Sequence, residues 1–302
     1  MKKILITGAT GFVGRNLIPA LKATCLDSMQ LCLLSRDKAK AEELFGTCSA
    51  IQHIDVNQSD YKAMVREFNP DIVLHLASFL TSKDDEESIL RLIDANIGFG
   101  TQLLDALTGT DVSYFINTGS FAEYRMGKGV KSSASLYAAT KTAFRSILDY
   151  YSAKLGFTWI NVIPYTIYGH GDTQKKVLDY IISALDAREP VKMSGGEQIL
   201  DFIHVSDVEA FLLLLIKEIN KFKDSGVEFH LGTGKGTSIR SLAKVVEEIF
   251  GQKANISWGA LDYRPLDIMY AVADILPLQK MLEWTPVVTL EEGIVRMKEG
   301  HN

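Results

Sequence analysis

The stretch Ile4-Leu5-Ile6-Thr7-Gly8-Ala9-Thr10-Gly11-Phe12-Val13-Gly14 limits what the rest of the chain can become. An apolar run without alternation reads as a strand buried on both faces, and this one stops at a glycine. Glycines then recur at 8, 11 and 14. In such a turn one glycine permits the tight bend, one lets the backbone approach a pyrophosphate, and one lets a helix pack on the strand. From Phe12 to about Lys22 the pattern is helical, so the first N–H groups and the positive dipole end face a place where an anion collects. A purely structural turn is the plainer alternative. Strand, glycines and helix in that order favour a dinucleotide site built on Gly8, Thr10, Gly11, Phe12, Val13 and Gly14.

A second buried strand, Leu31 to Leu34, ends at Ser35-Arg36-Asp37, about twenty residues past the glycines. A site for NAD places an acidic residue there for the ribose 2′-hydroxyl, whereas one for NADP needs positive charge for a 2′-phosphate. Arg36 supplies that charge, so NADP(H) is the expected cofactor, while Asp37 keeps NAD(H) open. Alternatively, Arg36 is a solvated surface residue and Ser35 caps a helix over Asp37–Phe45.

Further along, 51–56 reads as a strand, 60–68 as a helix and 71–77 as a strand with His75 inside it. A lone histidine in an apolar strand reads as a core residue. The charge run Lys83 to Glu87 opens one long helix reaching Leu107, where acidic residues suit the N-terminal dipole. Tyr114 to Asn117 is the fifth strand, emptying into Thr118-Gly119-Ser120. Alternating β and α units predict a doubly wound parallel α/β sheet of Rossmann type. Ligands bind beyond the carboxyl ends of such strands, which points Ser120 at the cofactor.

A loop from Phe121 to Ser133 precedes a helix from about Ala134 to Leu155. Tyrosine and lysine four apart share a helix face, and three pairs have that spacing: Tyr124/Lys128, Tyr137/Lys141 and Tyr150/Lys154. The first lies between loop glycines and the third deep in the helix, rotated off the face of the second. Only Tyr137/Lys141 sits near the helix start, at a distance in sequence that lets it meet Ser120. A phenol with a reference pKa of about 10 is a poor acid–base group at neutral pH unless its anion is stabilised. Lys141 and an oxidised nicotinamide are expected to lower the pKa of Tyr137. Ser120 then holds a substrate carbonyl while Tyr137 delivers a proton to its oxygen, with no metal required.

After a sixth strand over Thr158–Val162, helices alternate with short strands, Gly and Pro. The expected division is a cofactor domain over 1–165, joined by parts of roughly 200–235, and a smaller, discontinuous C-terminal α/β domain in the rest of 166–302. Leu212 to Leu215 belong to a buried helix capped by Ser206, and Thr289-Leu290-Glu291-Glu292 has the form of a capping box. With 302 residues, 47% hydrophobic and 23% charged, the chain has ample material for a core. A net charge of −5 gives no basic footprint for nucleic acid or an acidic membrane. The longest apolar run, Ala210 to Ile216, is too short to span a bilayer, and a first strand at Lys3 leaves no room for a signal peptide, so a cytoplasmic protein is expected. Cys25, Cys32 and Cys48 lack CxxC spacing and read as reduced packing residues.

The glycine turn, Asp55-Val56, Leu74-His75-Leu76-Ala77, Asn96, Ser120, Tyr137-Ala138-Ala139-Thr140-Lys141, Tyr168-Gly169, Asp201 to Val208, Gly232-Thr233-Gly234 and Arg264-Pro265-Leu266-Asp267 together resemble the extended short-chain dehydrogenase/reductase family. These are NAD(P)-dependent sugar-nucleotide epimerases, dehydratases and reductases. The resemblance covers nearly the whole chain. It implies cofactor contacts from Ser35, Arg36, Asp55, Val56, Leu76, Ala77, Ser78, Asn96, Tyr137, Lys141, Pro164 and Tyr165. It also implies substrate contacts from Ser120, Thr166, Arg264 and Asp267, with the Arg264 guanidinium on a diphosphate.

Gly196 to Ile199 running into Asp201–Ile203, Gly232 to Ser238, and Gly259-Ala260 continuing to 267–273 are most similar to 4-ketoreductases of CDP-linked 4-keto-3,6-dideoxyhexoses of the abequose and paratose type. Leu200 departs from the family by standing where relatives often carry a diphosphate-binding Arg. Dehydratases carry Asp-Glu directly after the serine, where this chain has Phe121-Ala122, and no cysteine lies near Ser120 as in 3,5-epimerases. The resemblance therefore implies NADPH-dependent 4-keto reduction of a nucleotide-linked deoxysugar for polysaccharide precursors. A 4-epimerase holding NAD tightly is the alternative, and a non-catalytic NADP-sensing regulator a minor one, since such regulators lose the tyrosine or lysine. A homodimer through the Tyr137 helix and its neighbour is also implied.

Overall fold

The computed structural model describes residues 1–25, 28–127 and 129–301, the side chains of Cys25 and His301 excepted. The packing role expected of Cys25, the Tyr124/Lys128 pair and the last residue of the second domain range lie outside the described residues.

The apolar runs of the first half become strands joined by helices. In chain order these are β1 (Lys2–Thr7), α1 (Phe12–Cys25), β2 (Met29–Ser35), α2 (Lys38–Phe45), β3 (Ile51–Asp55), α3 (Tyr61–Phe68) and β4 (Ile72–His75). They continue with α4 (Glu86–Ile93), a π-helical turn (Asp94–Gly98), α5 (Phe99–Ala106), β5 (Tyr114–Thr118), a 3₁₀ turn (Phe121–Glu123), α6 (Leu136–Leu155) and β6 (Thr158–Pro164). The second half holds β7 (Thr166–Tyr168), α7 (Val177–Ser183), β8 (Val191–Met193), β9 (Ile199–His204), α8 (Val205–Lys217) and β10 (Val227–Leu231). After them come β11 (Gly236–Ser238), α9 (Ile239–Phe250), β12 (Ile256–Trp258), β13 (Tyr270–Ala271), α10 (Leu276–Leu282) and α11 (Leu290–His301).

A seven-stranded sheet has the order β10-β6-β5-β4-β1-β2-β3, with every pairing from β3 to β6 parallel. The expected doubly wound Rossmann sheet is therefore present. Its order reverses between β1 and β4, which opens a crevice at their carboxyl ends. Alternate residues of each strand fill one face: Leu5, Cys32, Leu34, Ile54, Val73 and Phe115 pack with Leu103, Leu104, Phe144 and Leu148 of α5 and α6. Both faces are apolar because helices cover both.

The chain divides into two compact units, 1–123 with 135–163 and 209–229, and 124–134 with 164–208 and 230–302. In the second unit β9 pairs antiparallel with β11 and parallel with β7 and β13, while β8 and β12 form a separate parallel pair. Phe202, Leu178, Ile181, Leu242, Val246 and Ile294 make its core, contributed by β9, α7, α9 and α11. The Asp201 carboxylate takes four hydrogen bonds there: from Thr233 N and Oγ1, from Gly234 N and from Ala273 N.

Several local readings change. Asp37, not Ser35, caps α2, accepting Lys40 N at 2.9 Å. Ser206 is inside α8, whose first residue is Val205, and its hydroxyl lies 2.8 Å from His204 Nδ1. The long helix from the charge run to Leu107 is interrupted by the π turn. Cys48 is exposed rather than packed, whereas Cys32 is buried. The capping box closes as expected, Thr289 N donating to Glu292 and Glu292 N to Thr289 Oγ1.

Candidate active site

Parallel strands place every strand-end residue of the first unit on one edge. Gly8 follows β1, Ser35 ends β2, Asp55 ends β3, Leu76 follows β4 and Ser120 follows β5. Gly8 has φ +71°, and a Cβ there would lie 2.6 Å from Ala77 N. A Cβ on Gly14 would strike the carbonyl oxygens of Gly8 and Ala9. Gly11 differs: it is exposed, its N–H donates to Gly8 O at 3.0 Å, and a Cβ would meet only that oxygen. Gly8 and Gly14 thus serve the bend and the packing of α1, while Gly11, its N–H and C=O both bonded locally, leaves the surface above it uncovered. The first turn of α1, beginning with Phe12 and Val13, carries no acidic residue that would oppose a phosphate.

The rim continues from β2 to β4. Ser35 Oγ is buried with no partner among the described residues. Arg36 is exposed, and its carbonyl accepts Asn57 Nδ2 at 2.9 Å. Asp55 Oδ1 accepts Asn57 N, and Val56 N donates to Ser35 O, so the ends of β2 and β3 are tied together. An orphaned buried hydroxyl, an exposed Arg36 and an uncovered glycine fit a dinucleotide with its adenosine end over β2 and β3. Thr7 Oγ1 takes Ala77 N at 3.2 Å and lies 2.8 Å from His75 Nδ1. His75 is a core residue, ringed by Phe99, Phe115 and Phe144, and burial pushes its pKa down to about 3.

Ser120 and Tyr137 face one another, and Lys141 lies one helical turn on from Tyr137, at the end of β5. Ser135 caps α6 by accepting Ala138 N, which puts Tyr137 and Lys141 in its first two turns. The Tyr137 hydroxyl faces the hydroxyls of Ser120 and Ser78, both of which favour its anion. Ser120 Oγ also accepts Ala122 N at 3.2 Å, which leaves its proton to point away from the turn. Lys141 is 3% exposed and donates to Thr118 O at 3.0 Å. By contrast, Tyr150 of the third pair is 61% exposed. Asn96 is turned inward by the π turn: its Nδ2 donates to Phe79 O and Thr140 Oγ1, and its Oδ1 accepts Phe79 N and Ser78 Oγ.

The expected electrostatics need correction. In this structure Tyr137 is held above the ordinary phenol value, because burial outweighs the two serine hydroxyls, and Glu123 adds to the rise. Lys141 is not among its perturbing charges. Instead Lys141 is itself pushed down to about 8 by burial, with Glu123 opposing that fall. Loss of hydration penalises both charged forms.

Pro164, Tyr165, Thr166, Arg264 and Asp267 belong to the second unit. Tyr165 N donates to Leu231 O and its hydroxyl lies 3.1 Å from His230 Nδ1. Thr166 begins β7 opposite Phe202, and its Oγ1 is buried without a partner among the described residues. Arg264 is exposed, and its carbonyl accepts Asp267 N in a tight turn. Asp267 Oδ2 accepts Gln198 Nε2 at 3.3 Å, and Leu200 is built into the apolar core of this unit.

Glu123 and Arg145 escape a sequence reading that treats 121–133 as loop. The signal was present on α6: Ala138, Lys141, Arg145, Leu148 and Ser152 form one buried stripe containing two cations, which demands a buried anion. Among the described residues no group of three or more His, Cys, Asp or Glu side chains is placed to hold a metal ion. No helix among them is long and apolar enough to cross a membrane.

The model of the NAD dependent epimerase/dehydratase family matches residues 4–232. CDP-abequose synthase of Salmonella typhimurium is 29% identical over 300 residues, 96% of this chain and 95% of that protein. UDP-glucuronate 4-epimerase of Thermodesulfobacterium geofontis is 26% identical over 315 residues, 97% and 94% of the two chains. Among solved structures, UDP-glucuronic acid 4-epimerase of Bacillus cereus in complex with UDP-glucuronic acid and NAD aligns with a TM-score of 0.86 at 22% identity, covering 98% of both chains. That last likeness speaks for the fold.

Proposed function

The chain belongs to the NAD dependent epimerase/dehydratase family, and from that premise we propose that it reduces the 4-keto group of a nucleotide-linked deoxysugar with NADPH. The observation that carries the reading is the contact of Tyr137 with Ser120 and Ser78 beside buried Lys141. The nicotinamide, when bound, supplies the hydride to the carbonyl carbon. Ser120 donates to the carbonyl oxygen and Tyr137 passes it a proton. Once the alcohol has formed, the Ser120 proton is free to turn to the phenolate, and the Lys141 ammonium lies one helical turn away.

Two observations favour NADPH over NAD. Arg36 stands exposed at the end of β2 beside the orphaned Ser35 hydroxyl. The carboxylate of Asp37, the one acidic candidate for a ribose 2′-hydroxyl, is committed to the α2 cap. The full-length relationship to CDP-abequose synthase, together with Phe121-Ala122 after Ser120, favours a CDP-4-keto-3,6-dideoxyhexose. In this reading Thr166, Arg264 and Asp267 hold the nucleotide sugar. Ile89, Leu90 and Ile93, exposed on α4, form the apolar face of a homodimer with α6.

A second reading, a 4-epimerase retaining NAD, needs the same Ser120, Tyr137 and Lys141, and is favoured by the 26% identity to a UDP-glucuronate 4-epimerase. The test is NADPH and NADH consumption against CDP-, dTDP-, UDP- and GDP-linked 4-keto-6-deoxy and 4-keto-3,6-dideoxy sugars. Stoichiometric NADPH loss with one donor is expected. No loss with any donor, with tightly bound NAD released on denaturation, overturns reduction in favour of epimerisation.

A further inference from the structure

Glu123 is completely buried, and its two oxygens do different things. Oε1 accepts the backbone N–H of Ser120 at 2.8 Å. Oε2 accepts the Thr142 hydroxyl at 2.9 Å and pairs with the guanidinium of Arg145, whose side chain is 3% exposed. Arg145 in turn pairs with Glu228 on β10, a side chain 28% exposed. Ser120 and the 3₁₀ turn that follows it are thereby fastened to α6, one face of which carries Lys141 and Arg145 four residues apart. Glu123 and Arg145 are a buried pair of opposite charge, and Glu228 stands at the half-exposed end of the network. A buried charge without a counter-charge is costly. Lys141 is a second buried cation on the same face of α6, next to Thr142, which Glu123 also holds.

We propose that Glu123 is a positioning residue of the reaction centre: clamped by Arg145 and Thr142, it fixes Ser120 against α6 and serves as the counter-charge that keeps Lys141 an ammonium. This rests on the reading of Ser120, Tyr137 and Lys141 as the reacting group. The charged and titratable groups around Lys141 are Glu123 from the 3₁₀ turn and His75 from β4, with Thr118 O of β5 on its ammonium. Glu123 holds Lys141 up against the loss of hydration, and nothing else named around Lys141 does so. Neutral His75 supplies no charge near pH 7. Tyr137 faces Glu123, Ser78 and Ser120. Hence removing the Glu123 charge lowers the proton affinity of Lys141 and Tyr137 together.

Glu123→Gln tests this, because the amide oxygen can still accept Ser120 N–H while the charge is gone. Protein labelled with [ε-¹³C]lysine is titrated by NMR without cofactor or substrate, and Lys141 is assigned by its absence in Lys141→Met. The measurement therefore stands or falls separately from the proposed reaction. In the wild type one lysine signal titrates near 8, below the rest. In Glu123→Gln that signal is expected to move to lower pH by about half a unit or more, roughly a threefold change in proton affinity. A smaller shift, or one to higher pH, overturns the proposal. Should Glu123→Gln fail to fold, Glu123→Asp, which keeps the charge but draws it back from α6 by one methylene, decides. A resolved downward shift of the same signal supports the role, and an unmoved signal overturns it.

Discussion

Asn96 Nδ2 donates to Thr140 Oγ1 at 3.0 Å, joining the π turn to the helix that carries Tyr137. The same side chain brackets the backbone of Phe79 and takes the Ser78 hydroxyl, so one residue sets the loop after β4, a hydroxyl on Tyr137 and the start of α6. A π turn places one extra residue in a helix and so redirects the side chains within it, a device common at functional sites. Asn96→Ala leaves the half-buried N–H and C=O of Phe79 without these partners. A stability loss of about 1–3 kcal/mol is expected from urea unfolding. A loss below about 1 kcal/mol contradicts this view of Asn96.

The glycines of the first turn should separate into two classes. Gly8→Ala meets both a positive φ and Ala77 N at 2.6 Å, so it should cost about 2 kcal/mol or more in stability. Gly11→Ala meets only Gly8 O at 3.1 Å and should stay within about 1 kcal/mol of the wild type. Its Cβ instead stands on the open ligand face, so its NADPH affinity, followed by cofactor fluorescence, should fall at least about tenfold. Equal stability losses for the two variants would refute the division.

His75 gives a pH dependence of known sign. In the fold it stays neutral down to about 3, burial being the first cause and Lys141 the second. The unfolded chain takes up a proton below about 6.5, so it binds more protons than the native state between those values. Stability from this residue therefore falls as pH drops from about 6.5 to about 3, by about 1.4 kcal/mol per unit. His75→Asn offers Thr7 a polar partner that does not titrate. Urea unfolding across pH 3.5–7 should show a shallower slope for the variant by about that amount. Parallel curves would show that His75 is not held neutral.

The strands and the glycine turn were legible because buried parallel strands leave apolar runs and a tight bend leaves glycine. Tyr137 could be picked from three equal spacings because Ser120 and the start of α6 lay in the right order. What sequence could not show were features that exist only between elements. A π turn leaves the helical pattern of 86–107 unbroken, so the inward turn of Asn96 has no signature. Ser35 and Asp37 are both good capping residues, and the geometry at the end of β2 chose Asp37. Glu123 lies in a turn with no periodicity, and its partner Arg145 is 22 residues on. Burial also reversed the expected direction for Tyr137, since the cost of desolvating a phenolate cannot be read from a Tyr-x-x-x-Lys spacing.

Tyr137→Phe, assayed for NADPH oxidation with the donor sugar that the wild type consumes, tests the central assignment most directly. A positioned general acid contributes about 10²–10⁴ in rate, so turnover should fall at least about a hundredfold while NADPH affinity and stability stay near wild type. Turnover within about tenfold of the wild type, roughly 1.4 kcal/mol of barrier, would contradict the role of Tyr137 as the proton donor.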